Sequence, residues 1–260
     1  MLVYPQLATG AMSQFPVKKQ RRLRTVVNRA ADGSSVKLAD ANGEYTEWTL
    51  QYTRLSDAEL ATLQQFFTAA EGTLNAFTFL DPTSNLLAWT DQLNNAVWVP
   101  GPLLTVAGGI ADPMFGTNAW RLTNTSGGAQ NISQTISAPA GYLYCLSAYV
   151  RSTQSATVTM LLGAQRASMP VSAIWSRIVF AAAGDPTQAS ISFGLELPAG
   201  AALYVYGMQA EPQAAASVYK SSTTGGVYEN ARLRDDLLTI TSTDVDQHSC
   251  KVNIYYAKHL

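Results

Sequence analysis

The chain has little charge. Lys, Arg, Asp and Glu together make up 13% of its 260 residues, about half the quarter that is usual in a soluble domain. The two signs nearly cancel, 17 basic against 18 acidic, for a formal net charge of −1. Such a chain has no broad field with which to capture nucleic acid or insert against an anionic membrane. Histidine and cysteine are scarcer still, with only His248, His259, Cys145 and Cys250. No Cys/His cluster has the spacing of a zinc site. The cysteines fall in regions of different texture, expected to be different domains, so free buried thiols are expected rather than a disulfide. No apolar run reaches the roughly 18–20 residues that span a bilayer. The opening MLVYPQLATGAMSQFP has no basic segment leading into an apolar one, so no secretory signal is expected, and synthesis in a cytoplasm is. No Gly-rich phosphate loop comes after a strand, since Gly108-Gly109 and Gly127-Gly128 read as turns. No cofactor is expected.

What the chain does have is pattern. Residues 17–29, VKKQRRLRTVVNR, start basic and pass into a strand. Asp32, Asp40, Glu44 and Glu47 offset that charge nearby, which favours a solvated or subunit-facing strand edge over a nucleic-acid patch. Ala31-Asp32-Gly33-Ser34 reads as a hairpin turn and Asn42-Gly43 as a second. Trp48, Leu50 and Tyr52 then fall on one face of a strand. A helix over about 56–71 is well marked. Ser56 and Glu59 make a capping box; Leu55 precedes the cap and can staple onto Leu60. Leu60, Leu63, Phe66, Phe67 and Ala70 form an apolar stripe, and Gly72 stops the helix. Phe77 and Phe79 share a face of the next strand, which Asp81-Pro82 ends.

The texture changes at Asn85. From there to Lys220 only ten charged side chains occur: Asp91, Asp112, Arg121, Arg151, Arg166, Arg177, Asp185, Glu196, Glu211 and Lys220. Helical periodicity is nearly absent. Short strands are predicted at 119–123, 130–136, 142–151, 157–162, 175–181, 189–195 and 201–208, the rhythm of a β-sandwich. After Gly225-Gly226 charge returns, with strands predicted at 237–241 and 249–256 around the turn Asp244-Val245-Asp246. Two strands alone are marginal in water, so they need the unfinished N-terminal sheet. The fold expected is mostly β: a discontinuous β-sandwich domain, residues 1–84 plus 222–260, with one α-helix, interrupted by a jelly-roll β-sandwich over 85–221.

Residues able to carry chemistry are few. His248 and Cys250 stand two apart on a strand, but no orienting acid or oxyanion feature accompanies them. Glu196 and Glu211 are isolated, so no glycosidase pair is visible. Asp91 or Asp112 could hold a structural calcium together with backbone carbonyls. Aromatic rings are the remaining resource, because they can stack on the apolar face of a sugar while neutral side chains bond its hydroxyls. Most such rings are core residues. Trp98, Tyr142, Tyr144, Tyr204 and Tyr206 are the candidates for glycan contact, the tyrosines because each pair lies on one strand face. No catalytic and no metal-binding residue is assigned.

These residues carry two resemblances. Phe15-Pro16-x-Lys18, Asn28, Asp32-Gly33, Trp48-Thr49-Leu50-x-Tyr52, Leu55-Ser56-x-x-Glu59, Phe66-Phe67, Glu71-Gly72 and Phe77-Thr78-Phe79-x-Asp81-Pro82, with the ending 238–243 and His248-Ser249-Cys250, resemble distal tail proteins of long-tailed bacteriophages and gene transfer agents. That resemblance implies a non-enzymatic virion protein of the tail tip, assembled in the bacterial cytoplasm. Its sandwich would form a ring, usually a hexamer, joining the tail tube to the hub or baseplate proteins. The N-terminal residues and the basic run would contact neighbouring subunits. Asn85-Leu86-Leu87-x-Trp89-Thr90, Trp98, Ala119-Trp120-Arg121-Leu122, Gln134, Gly141-Tyr142-x-Tyr144-x-Leu146-Ser147, Trp175-x-Arg177, Gly207-Met208-Gln209-x-Glu211 and Ser217-Val218-Tyr219 resemble carbohydrate-binding-like jelly-roll modules of phage structural proteins. This implies a peripheral module touching host polysaccharide. An adhesin of the tail tip is the alternative function, and a glycan hydrolase a more distant one.

Overall fold

The computed structural model describes residues 2–258, so His259 lies outside the described residues. In chain order its elements are β1 (Gln14–Arg29), β2 (Ser35–Leu55), α1 (Asp57–Ala70), β3 (Phe77–Leu80), β4 (Val99–Pro100), β5 (Leu104–Ile110), β6 (Ala119–Asn124) and β7 (Gln130–Ile136). They continue with β8 (Leu143–Arg151), β9 (Ala156–Leu162), β10 (Gln165–Val171), β11 (Ser176–Ala183), β12 (Ile191–Leu197) and β13 (Ala202–Glu211). The last are β14 (Val227–Leu233), β15 (Ile240–Asp244) and β16 (Gln247–Ala257). The chain forms two compact units: Met1–Leu7, Ser13–Phe79 and Tyr228–Leu260 make the first, Ala8–Met12 and Leu80–Val227 the second. The expected division put all of residues 1–84 together; the short piece Ala8–Met12 instead belongs to the second unit, where the side chain of Leu143 lies so close to Gly10 that a Cβ there would meet it.

The first unit is a sheet in the order β1-β2-β16-β14-β3, with β15 added on β16 and α1 as its single helix. Alternation in β2 sends Trp48, Leu50 and Tyr52 inward, and all three are buried. Trp48 joins a continuous set of edge-on aromatic contacts, with ring centroids 4.7–5.1 Å apart for Tyr4–Phe66, Phe66–Phe77, Trp48–Phe79, Trp48–Tyr228 and Tyr228–Tyr256, and 5.7 Å for the linking pair Tyr4–Phe79. Such pairs contribute about 0.5–1.5 kcal/mol each beyond the area they bury. Of the N-terminal residues, Tyr4 is part of this core. It is fully buried, its hydroxyl 2.8 Å from that of Tyr52, and its backbone is hydrogen-bonded to Thr78 of β3.

The helix starts where its cap predicts. The Ser56 hydroxyl accepts from the Glu59 backbone N–H, and the Glu59 carboxylate accepts from the Ser56 N–H. Leu63, Phe66 and Ala70 are its buried face. The stop differs in detail: Glu71 already adopts a left-handed conformation, φ 50°, and Gly72 comes next with φ +61°. A side chain at Gly72 would also collide with Asp236, whose carboxylate accepts from the Thr73 N–H.

The expected turn at Asn42-Gly43 is absent. Strand β2 runs from Ser35 to Leu55 and takes up the irregularity as a bulge of its own over residues 41–44, between the pairs Arg22↔Tyr45 and Arg24↔Asp40. Gly43 supplies close approach rather than reversal, since a Cβ at that position would lie 2.6 Å from the Arg24 Cβ. The true turn is at 30–34. There Gly33 takes φ +85° and the Asp32 carboxylate accepts from the Ser34 N–H.

The second unit is a jelly-roll sandwich of two five-stranded antiparallel sheets, β10-β9-β12-β7-β4 and β11-β8-β13-β6-β5. Its core takes every other residue from each strand: Tyr144, Leu146, Ala148 and Val150 from β8, Val158, Met160 and Leu162 from β9, Phe193 and Leu195 from β12, Leu203 and Val205 from β13. Each fully buried Leu, Val, Met or Phe among them contributes about 1.5–3 kcal/mol. Both cysteines are free and buried, one in each unit, and burial pushes both thiols up to about 11. Replacing Ser56 by Ala removes one of the two capping bonds; a loss of about 1 kcal/mol in the first unit's unfolding free energy is expected by urea titration.

Candidate functional site

The outward face of the sheet β11-β8-β13-β6-β5 carries the chain's densest set of polar and aromatic side chains. Alternation fixes who stands there. Since Tyr144, Leu146, Ala148 and Val150 point inward, Ser147, Tyr149 and Arg151 point out. In β13, Leu203 and Val205 point in while Tyr204 and Tyr206 point out. Antiparallel register then aligns Arg151, Tyr204 and Arg121 across three strands, and Arg177, Tyr149 and Tyr206 in the next row. Residues directly opposite one another on adjacent strands are in contact.

The contacts are cation–π. The Arg151 guanidinium carbon is 4.6 Å from the Tyr204 ring centre and 5.2 Å from that of Trp175, so the cation is held between two rings. Arg177 lies 5.4 Å from the Tyr149 ring and donates to the Ser217 carbonyl at 2.6 Å and the Ser147 hydroxyl at 2.8 Å. Tyr149 packs on Tyr206, and Tyr206 on Tyr219, at 6.0 and 5.2 Å. The Nε atoms of Arg151 and Arg177 are buried without a hydrogen-bond partner. Arg121 is exposed. Among the described residues none of these three arginines meets a carboxylate.

The acids of this region are occupied at its other end. Asp91 accepts from the Tyr219 hydroxyl at 2.6 Å and from Ser221. Asp112 accepts from the backbone N–H groups of Met114, Gly116 and Asn118, closing a tight loop. Its burial works to raise its pKa, but those three bonds outweigh the burial and hold the carboxyl below its ordinary value. At the tip of that loop Phe115 is fully exposed with a left-handed φ of 67°. Desolvation, then the negative charges of Asp112 and Asp91, raise Tyr206, so its hydroxyl remains a hydrogen-bond donor at neutral pH. Both carboxylates therefore serve as hydrogen-bond acceptors, and no group of three metal-ligating acids, histidines or cysteines occurs among the described residues.

Several motif residues in this unit act as pins for the fold. Asn85 donates to the Met208 and Lys220 carbonyls and accepts from the Leu87 and Ala210 N–H groups. Gln134 exchanges both its bonds with the backbone of Ala88. The fully buried Glu211 accepts from Gln209 and Ser217, with Lys220 3.6 Å away. These side chains clamp the two chain segments at which the sandwich begins and ends.

The five expected glycan-contact residues divide. Tyr204 and Tyr206 stand half-exposed on the aromatic–arginine face. Trp98 and Tyr144 do not reach any surface: they are core residues, 2% and 0% exposed. Trp98 donates its indole N–H to the Trp89 carbonyl, and Tyr144 packs at 5.4 Å on Phe193 with its hydroxyl on the Pro139 carbonyl. Tyr142 precedes β8 and so does not share a strand face with Tyr144. It sits seven residues from Tyr149, about 23 Å along the strand, and burial pushes its hydroxyl up to about 12. Trp175, Arg151, Arg177, Tyr149 and Arg121 stand on the same face as Tyr204 and Tyr206. Their signal was the two-residue spacing Tyr149-x-Arg151, Trp175-x-Arg177 and Tyr204-x-Tyr206.

In solved structures the chain is similar to sugar-binding modules and to a phage tailspike. It resembles the CBM22-1 xylan-binding domain from Paenibacillus barcinonensis Xyn10C at 15% identity, covering 51% of this chain and 96% of that one, TM-score 0.43. TmCBM61, solved with β-1,4-galactotriose, matches at 11% identity over 48% of this chain and 97% of that one, TM-score 0.38. The enzymatically active domain of bacteriophage CBA120 tailspike protein 4 matches at 14% identity over 51% of this chain and 22% of that one, TM-score 0.40. At these scores the likenesses carry no argument about function. No protein-family model and no curated protein matches the sequence.

Elsewhere, His248 does not pair with Cys250 but faces Asp57, an acid that the sequence pattern did not bring beside it. Its Nε2 is 2.6 Å from the Asp57 carboxylate and its Nδ1 2.8 Å from the Ser242 hydroxyl. The trio has the residue types of a hydrolytic triad, but Asp57 is 65% exposed at the start of α1 and its Oδ1 also lies near the Asp246 N–H. It ties the helix start to the β15–β16 turn. Glu196 is paired with Arg166 at 2.8 Å, on the opposite sheet from Glu211.

The face depends on one glycine. A bulge between Tyr206 and Gln209 puts Gly207 at φ +65°, with the Tyr219 ring 3.1 Å from where a Cβ would be. Gly207→Ala meets both an unfavourable φ and that ring; a loss of more than about 1 kcal/mol is expected, read as a lower thermal midpoint for the second unit.

Proposed function

We propose that this chain is a structural virion protein of a bacteriophage tail tip. In this reading it is a distal tail subunit that associates with its own copies into a ring, hexameric by resemblance, between tail tube and hub or baseplate, and its second unit is a module for host surface glycans. The residue pattern quoted for the first unit supports the family. The observation that carries the assembly is the free end of the β1–β2 ribbon.

Strand β16 covers β2 only over Tyr45–Leu55. Beyond it, from Arg24↔Asp40 to Arg29↔Ser35, the two strands pair with each other alone. A lone two-stranded ribbon is marginal in water. This one is also apolar on both faces: Val26, Leu38 and Val36 share one side, Leu23 and Val27 stand on the other, and all five are exposed, Leu23 at 71%. Exposed apolar side chains in a contiguous set mark an interaction surface. Ion pairs Arg21–Glu44 and Arg24–Asp40 flank them and neutralise much of the basic run. The ribbon thus has the composition of an interface and lacks that of a polyanion-binding arm.

A tail-tip adhesin is the second reading, favoured by the aromatic–arginine face. Both readings place the protein in the virion after assembly in the host cytoplasm. Light scattering across a concentration series and negative-stain images of the purified chain test the ring. A defined oligomer and closed rings are expected. Val27→Asp combined with Leu38→Asp, one charge on each ribbon face, should yield a folded monomer with unchanged circular dichroism. A wild-type chain that stays monomeric at high concentration sinks the assembly reading.

A further inference from the structure

We infer that the outward face of the sheet β11-β8-β13-β6-β5 binds polysaccharide carrying carboxylate groups, with Arg121 and Arg151 as the anion contacts and the Tyr204 and Tyr206 hydroxyls as the sugar contacts. This rests on the reading of the second unit as a glycan module and specifies the class of glycan.

The argument is one of charge complementarity. In a chain with more acids than bases, three arginines share one sheet face without a carboxylate partner. Two of them are fixed by rings instead: Arg151 between Trp175 and Tyr204, Arg177 against Tyr149. A guanidinium held over ring faces retains its charge and its N–H fork, and that fork matches the two oxygens of a carboxylate. Arg121, in register with Tyr204, extends the row into solvent. From Trp175 to Arg121 the row crosses four strands, about 15 Å at sheet spacing, enough for more than one sugar. The nearby acids Asp91, Asp112 and Glu211 lie toward Tyr206, where the charges of Asp91 and Asp112 act. Each is bound by hydroxyls, backbone N–H groups or Lys220 around the Tyr206 end.

The same observations disfavour nucleic acid. Base stacking needs free ring faces, and Arg151 already covers the facing sides of Trp175 and Tyr204. The phenol hydroxyls of Tyr204, Tyr206 and Tyr149 suit sugar hydroxyls. This face also departs from the neutral Asn, Gln and Thr chemistry expected from composition, since Asn85, Gln134 and Gln209 are spent on the backbone.

Affinity electrophoresis of the full chain through gels containing polygalacturonate, alginate, neutral dextran or neutral xylan tests the inference, with oligothymidine binding measured alongside. Retardation by one or both uronate polymers and not by the neutral ones is expected, falling steeply with added salt. Arg121→Gln, an exposed change that cannot perturb the core, should weaken it about tenfold, the loss of one charge-assisted contact. Arg151→Gln should weaken it at least as much, whereas Arg166→Gln on the opposite sheet should leave it unchanged. No retardation by either uronate polymer, equal retardation by neutral polymers, tighter binding to oligothymidine, or indifference to Arg121→Gln each overturns it. Light scattering on the same samples separates the two readings, because loss of glycan binding leaves ribbon-driven assembly intact and a monomer that still binds uronates leaves this inference standing.

Discussion

Every apolar strand face needs a cover, and strand β2 has one over only half its length. Over its C-terminal half β2 lies between β1 and β16, and Trp48, Leu50 and Tyr52 join the aromatic core. Over its N-terminal half the same strand continues, with Val36 and Leu38 as apolar as before and, among the described residues, no third strand or second layer beside them. The strand does not end between the halves: a bulge over residues 41–44 of β2 shifts its register on β1, and Gly43 gives the close approach to Arg24 there. The sheet is thus continuous with an uncovered ribbon. Burying one such side chain on a partner yields about 1.5–3 kcal/mol, and five are available, which is the physical basis for reading this unit as a part that assembles.

The second unit solves a different problem. Its sandwich core is complete, so the outward sheet face is free to carry polar chemistry. The buried amides and the carboxylate that the motif places there hold chain segments together, which is why that motif signals the fold more than any ligand. The ligand chemistry proposed for this unit rests on side chains that contribute little to closing the core: arginines stacked on rings, in rows set by register. Gly207 links the two roles, since the bulge it permits seats Tyr219 against Tyr206.

Much of the fold was legible in the chain. The capping box placed α1 to within a residue, and alternation located seven strands of the sandwich and the final hairpin. The misses have specific causes. Strand β10 is polar, contains Pro170 and sits on a sheet edge, where such residues are tolerated. Strand β5 carries Gly108-Gly109 inside a bulge, so a strand interior read as a turn. Asn42-Gly43 marks a bulge within β2, and local composition does not distinguish a bulge from a turn. Strand β14, Val227–Leu233, buries only Ala231 and Leu233, too few for a clear period. The site was half legible for a related reason. A two-residue spacing says which side chains share a face but not whether that face looks inward: Tyr204 and Tyr206 stand on an outward face, while Tyr144 and Trp98 are buried. The arginines were visible only as isolated charges until register set them beside the rings.

The central claim is that the ribbon is an interface. Amide hydrogen exchange over residues 23–44, monitored from dilute to concentrated protein, addresses it most directly. The account predicts fast exchange of solvent-facing ribbon amides in dilute solution and strong protection at high concentration, with the β2 amides paired to β16 protected throughout. Ribbon amides that exchange equally fast at every concentration, in wild type and in assembled tails alike, would contradict it.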